Sequence, residues 1–162
     1  MRKVIIVFVI FMGFMDNIMA QNPDYLFMIE NACKAPSGHN TQPWLFKIRE
    51  SEIDIYPDLT KELPVVDPSH REFFVSLGCA TENLCIAAQE KGYQTEVKVI
   101  KNSFIRVLLT KDKKKQFDSS LFSQIAVRQT NRSVYDGKEI PKDSINLLKA
   151  TSIAPSISIY FY

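Results

Sequence analysis

Apolar positions along the chain fall into short blocks whose spacing predicts alternating helices and strands. Asn22-Pro23-Asp24 is a helix-start signal, and Leu26, Ile29 and Cys33 follow it at helical spacing. Ala35-Pro36-Ser37-Gly38 ends that helix. Trp44 to Arg49 and Ile53 to Tyr56 read as two short strands around a Glu50-Ser51-Glu52 turn. Ser69-His70-Arg71-Glu72 fits a capping box, in which Ser69 and Glu72 each satisfy the other's backbone donor. Behind it Phe73, Leu77, Ala80, Leu84 and Ala87 repeat every three or four residues until Gly92, which marks the central helix. Its small residues, Gly78, Ala80, Ala87 and Ala88, let another element approach closely.

Thr95 to Ile100 alternates, with Val97 and Val99 on one side, and Phe104 to Thr110 is a further strand. A helix carrying Leu121, Phe122, Ile125 and Ala126 comes next, and Pro141 opens another over Lys142 to Thr151. Ile157 to Tyr162 is strand-like and stops without a polar tail, as a chain cut short would. Strands with intervening helices in this order predict an α+β layered domain.

Composition narrows the picture. With 162 residues, 46% hydrophobic and 23% charged, the chain suits one globular domain with a real core. A net charge of +2 gives no ground for a nucleic-acid partner. Lys111, Lys113, Lys114 and Lys115, broken by Asp112, read as a solvated loop. Cys79 and Cys85 lie on different faces of one predicted helix and would not bridge. Cys33 near His39 could be named a nucleophile and base, yet a buried helix cysteine is the commoner case. With His39 and His70 as the only histidines and no cysteine pair at metal spacing, no metal site is expected.

The N-terminus is a separate matter. Arg2 and Lys3 precede an apolar run from Val4 to Met15, too short to span a bilayer comfortably. Ile18-Met19-Ala20 offers a cleavage site, so residues 1–20 read as a secretory signal peptide before a domain over 21–162. Export would place the mature chain in the periplasm or at a membrane. An uncleaved anchor stays open because Ile18 is bulky, and a non-functional signal would leave the protein in the cytoplasm. Without a twin arginine, the chain would cross unfolded and meet any cofactor afterwards.

The most specific stretch is Ala35-Pro36-Ser37-Gly38-His39-Asn40-Thr41-Gln42-Pro43-Trp44. It resembles the A-P-S-x-x-N-x-Q-P-W motif of the nitroreductase family. Asp67-Pro68-Ser69-His70-Arg71-Glu72, Gly78-Cys79-Ala80 and Glu82-Asn83-Leu84 resemble the next block of that family's exported, tandem branch. Arg128-Gln129-Thr130-Asn131-Arg132, with Tyr135 and Ile140-Pro141 behind it, resembles the branch's R-x-T-N-R element. Thr151 to Ser156 looks like a second, decayed A-P-S motif, which would make this chain the N-terminal half of a tandem fold.

The resemblance implies a mixed sheet flanked by helices, with FMN at an interface between two such folds. Ser37, Asn40 and Gln42 would contact the isoalloxazine ring, whose edge presents donors and acceptors alike. Gly38 would let backbone come close to the ring. Arg128 and Arg132, with Thr130 between them, would hold the FMN phosphate, the arginines sharing one helical face near a helix start. The implied reaction is two-electron transfer from a nicotinamide donor, NADH or NADPH, through flavin to a nitroaromatic, a quinone or a similar small acceptor. No catalytic side chain is assigned. A homodimer or a missing second half would complete the cleft. Beside this stand blander readings: Asn40 and Gln42 as loop-capping amides, Arg128 and Arg132 as surface charges, Trp44 as a core residue, Arg71 pairing with Asp67. The alternative for the whole chain is a non-catalytic exported relative that binds or sequesters flavin.

Overall fold

The first helix, α1 (Pro23–Ala32), begins where the sequence demands. Asn22 caps it by accepting the Asp24 N–H, at 3.0 Å, and Pro23 takes the first helical position, where its missing donor costs nothing. The computed structural model describes residues 22–101, 103–112 and 120–150. The signal peptide, the lysine run beyond Asp112 and the Thr151–Tyr162 readings lie outside the described residues.

The buried stripe of α1 is Tyr25, Met28, Asn31 and Ala32, one position off the expected Leu26, Ile29 and Cys33. Apolarity alone misplaced it. Tyr25 is buried because its hydroxyl donates to the Glu50 carbonyl, and Asn31 because its amide bonds the Phe27 carbonyl. A loop then leads to the hairpin of β1 (Trp44–Ile48) and β2 (Glu52–Pro57), and after it the long helix α2 (Arg71–Glu90). A second hairpin, β3 (Tyr93–Ile100) and β4 (Phe104–Lys111), follows. The four strands form one sheet in the order β1-β2-β4-β3, and every pairing among the described residues is antiparallel.

Helix α2 carries the core, as its periodicity predicts: Phe73, Leu77, Ala80, Leu84 and Ala87 are all buried. They meet Met28 and Ala32 of α1 and Ile53, Ile55, Val107 and Leu109 of the sheet in one apolar cluster. Gly92 (φ +74°) ends the helix in the left-handed region. Gly78 does not mediate a close approach, since nothing lies within 4 Å of where its Cβ would be.

The start of α2 departs from the expected capping box. His70 precedes the helix in a left-handed conformation (φ 56°) with no side-chain cap, and Asp67 Oδ2 instead accepts the Phe73 N–H at 2.8 Å. Burial alone would raise the Asp67 pKa. The backbone donors of Phe73, Glu72 and Arg71 outweigh it and hold the carboxyl below its ordinary value. Asp67 therefore serves the helix amides and makes no ion pair with the Arg71 guanidinium among the described residues.

On the other face of the sheet, Asp54 is fully buried under two arginines. Arg106 Nε and Nη2 donate to its two oxygens at 2.7 and 3.0 Å, and Arg49 Nε adds a third bond at 2.9 Å. Glu52 joins from the same strand, 3.1 Å from Arg106 and 3.2 Å from Arg49. The bonds to Arg106 first, and to Arg49 next, outweigh burial and keep the Asp54 pKa low.

Helix α3 (Phe122–Val127) closes the first compact unit, which ends at Gln129. The second unit begins at Thr130 and contains α4 (Lys142–Ala150), which opens after Pro141 as expected.

Candidate functional site

The loop from Ser37 to Gln42 is built almost wholly from its own hydrogen bonds. Ser37 is extended (φ −144°), and its Oγ accepts the Gln42 N–H at 3.0 Å, which draws the two ends together. Between them one tight helical turn, Gly38–Asn40, is held by Asn40 N–H to the Ser37 carbonyl at 3.0 Å. Thr41 donates to the Gly38 carbonyl from its N–H at 3.1 Å and its Oγ1 at 3.0 Å. His39, Asn40 and Gln42 all sit in the left-handed region, at φ 49°, 57° and 52°. The loop is anchored to α2 by one bond, Gly38 N–H to Ser76 Oγ at 3.1 Å, while Ser76 Oγ donates to the Glu72 carbonyl at 2.7 Å.

A cleft of about 180 Å³ opens where the loop meets α2, lined by residues of both, among them Ser37, Gly38, Arg71, Glu72, Ser76 and Cys79. Of the residues the motif singles out, the structure brings Ser37 and Gly38 into this cleft. The side chains of Asn40 and Gln42 are exposed and make no hydrogen bond among the described residues. Their amides are thus free to meet a ligand, and the loop-capping reading does not describe them. Ser37 is the loop closer, with its own O–H still available to donate. Gly38 has a part within the fold. Its N–H belongs to Ser76, and a Cβ there would stand 3.1 Å from Glu72 Oε2, so it is Glu72 that the missing side chain admits.

Arg71, Glu72, Ser76 and Cys79 were not singled out by motif as site residues. The signal lay in their spacing: 72, 76 and 79 recur along one side of a helix whose other side is the apolar stripe.

Trp44 is buried in the core, as the plain reading of a tryptophan after a turn has it. The Cys33 thiol is half-buried, and burial raises its pKa, only partly opposed by a hydrogen bond with the Trp44 side chain. It is a protonated packing residue at neutral pH rather than an activated nucleophile. Cys85 is buried on α2 and pushed up to about 11 by desolvation. No group of three potential metal ligands occurs among the described residues.

Arg128, Thr130 and Arg132 are all exposed, but the arginines do not share a helical face. Helix α3 ends at Val127, and Arg128 leaves it with extended backbone (ψ 133°). Arg128 Nη2 donates to the Lys34 carbonyl at 3.5 Å. Beyond it the Asn131 side chain accepts the Ser133 N–H at 2.8 Å and Asp136 accepts the Lys138 N–H at 3.1 Å. Such local turns compete with helix, and the next helix waits until Lys142. Among the described residues no helix N-terminus adjoins the arginines; Arg128 instead follows the C-terminus of α3.

No family model matches the chain. It is similar to "Putative NAD(P)H nitroreductase Rv3131" of Mycobacterium tuberculosis, 29% identical over 124 residues, which is 74% of this chain and 36% of the relative. It is also similar to "Putative NAD(P)H nitroreductase acg" of the same species, 28% identical over 74 residues, 46% of this chain and 22% of the relative. "Uncharacterized protein Rv3127" of that species is 29% identical over 70 residues, 41% of this chain and 20% of the relative. The chain therefore spans about a third, or less, of the length of these relatives. An α+β domain with an antiparallel sheet flanked by helices, together with this similarity, sets the chain beside the nitroreductases.

Proposed function

We propose that the chain is the flavin-binding portion of an exported, FMN-dependent oxidoreductase of nitroreductase type, taking electrons from NADH or NADPH. The observation that carries the reading is the Ser37–Gln42 loop: Ser37 and Gly38 line an open cleft, and the exposed amides of Asn40 and Gln42 on the same loop have no hydrogen-bond partner among the described residues. Similarity to proteins named as NAD(P)H nitroreductases supports it.

The residues fit one wall of a flavin site. Amide groups can both donate to and accept from a heteroaromatic edge, and neither Asn40 nor Gln42 has another partner among the described residues. At about 180 Å³ the cleft is smaller than the roughly 300 Å³ at which ligand pockets begin, so it offers a wall and not an enclosure. A second copy or a further stretch of chain supplies the rest. Asn40 and Gln42 orient the ring edge, Ser37 donates from its hydroxyl, and Pro36 and Val75 keep the wall apolar. Arg128, Thr130 and Arg132 are proposed for the phosphate from the likeness of their motif alone, guanidinium against phosphate oxygen. When bound, the flavin supplies two-electron transfer between nicotinamide and a nitroaromatic, quinone or similar acceptor.

The test is the visible spectrum of the chain purified with FMN and desalted. Flavin bands should remain, and should vanish in the Arg128→Ala/Arg132→Ala double variant. A folded but colourless native chain would overturn the reading that this chain by itself holds flavin, leaving a missing stretch of chain or a non-catalytic role.

A further inference from the structure

We infer that β3 is a self-pairing edge, through which two copies of this chain join their sheets into one antiparallel sheet about a two-fold axis at Val97. The inference is independent of the flavin reading, for β3 is the sheet edge farthest from β1, which follows the Ser37–Gln42 loop.

Among the described residues β3 pairs only with β4, so its outer row of backbone donors and acceptors is available to another strand. Edge strands are usually short, bulged, interrupted by proline or guarded by charged side chains. This one runs through eight residues, Tyr93–Ile100, without bulge or proline, and its charges are one of each sign, Glu96 and Lys98. Its helix-facing side carries two exposed valines, Val97 at 45% and Val99 at 76%. Val99 and Ile100 also line an apolar hollow of about 590 Å³ with Phe74 and Phe104.

Charge identifies the occupant and the register. Glu96 and Lys98 stand on the opposite side of β3, both largely exposed and 3.3 Å apart. In an antiparallel pair about Val97, Glu96 of each copy faces Lys98 of the other, twice per dimer. The same register sets Val97 against Val97 and Val99 against Thr95. Moving the axis one residue either way sets Glu96 against Glu96 or Lys98 against Lys98, and like charges directly opposite repel. A slip that places the axis between residues turns the apolar side of one copy to the charged side of the other. The strand thus complements itself in one register and rejects its neighbours, as an isologous interface requires.

Sedimentation analysis of the native chain, Glu96→Lys, Lys98→Glu and the double variant tests this, with circular dichroism confirming that each folds. The native chain and the double variant should dimerise, and each single variant should dimerise about thirtyfold more weakly, two favourable pairs having become two repulsive ones. An equimolar mixture of the two single variants should recover the dimer, because the two lysines on the strand of one then face the two glutamates on the strand of the other. A native chain that stays monomeric at high concentration would overturn the inference. So would a dimer indifferent to either single reversal, or a mixture that fails to recover association.

Discussion

Gly38→Ala separates what the fold needs from what the site needs. Gly38 is not in the left-handed region, so alanine meets no backbone penalty there. The new Cβ would stand 3.1 Å from Glu72 Oε2, closer than comfortable contact by a few tenths of an ångström. That oxygen is the tip of a flexible, exposed side chain, which can rotate away. Against this small cost, alanine reduces the freedom of the unfolded chain, a gain of about 0.4–1 kcal/mol where the native backbone accepts it. The two nearly cancel, so the expected change in stability is within about 1 kcal/mol, or roughly 2–4 °C in Tm for a domain of this size. Flavin retention should respond differently. The methyl group and the displaced Glu72 carboxylate both enter the cleft wall, and FMN affinity should fall about tenfold, equivalent to about 1.4 kcal/mol. Thermal unfolding and a flavin titration on the same preparation measure both. Destabilisation well beyond 1 kcal/mol would refute the packing argument, and unchanged flavin affinity would refute the placement of the ring against this wall.

Asp54→Asn leaves Arg49 and Arg106 short of their shared acceptor, and should cost about 2 kcal/mol at neutral pH, since both guanidiniums can still reach water. The Asp54 pKa is lowered in the folded chain, so its stabilisation is complete above the unfolded value of about 3.9 and is lost as pH falls through the folded value. Urea midpoints should therefore show a gap between native chain and variant that is constant from neutral pH to about 5 and closes in stronger acid. Leu84→Ala, at a fully buried position midway along α2, should cost about 3 kcal/mol and lower the urea midpoint with an unchanged slope.

Where the sequence was legible, one local signal sufficed. The Asn22-Pro23 start of α1, the apolar stripe of α2, its glycine stop and all four strands stand within one or two residues of where patterning puts them. The departures arise where a distant partner decides. Ser69 and Glu72 have the letters of a capping box, but a left-handed His70 turns the chain so that Asp67 reaches Phe73 first. Leu26 looks like a core residue until Tyr25 finds the Glu50 carbonyl. Arg128 and Arg132 are four apart, a helical spacing, yet the polar side chains around them favour turns. In the site, the motif supplied Ser37, Asn40 and Gln42, whereas Ser76 and Glu72 became visible only when α2 came to lie against the loop.

Non-glycine residues in the left-handed region are held at a cost of order 1 kcal/mol each and persist only where the surroundings leave no alternative. Three occur between His39 and Gln42, among residues that contribute nothing to the apolar core. The structure shows how they are kept there. Ser37 Oγ ties down Gln42, Thr41 is doubly bonded to Gly38, the Pro43 carbonyl accepts the Asp58 N–H at 3.1 Å, and Ser76 fixes Gly38 to α2. Every one of these bonds uses backbone or a hydroxyl, and none uses the amides of Asn40 or Gln42. Were the loop only a connection between α1 and β1, those two amides would be the nearest groups with which to brace it. That the bracing is complete without them, while they stand exposed on the loop whose start lines the cleft, is why they are assigned to a ligand rather than to the fold.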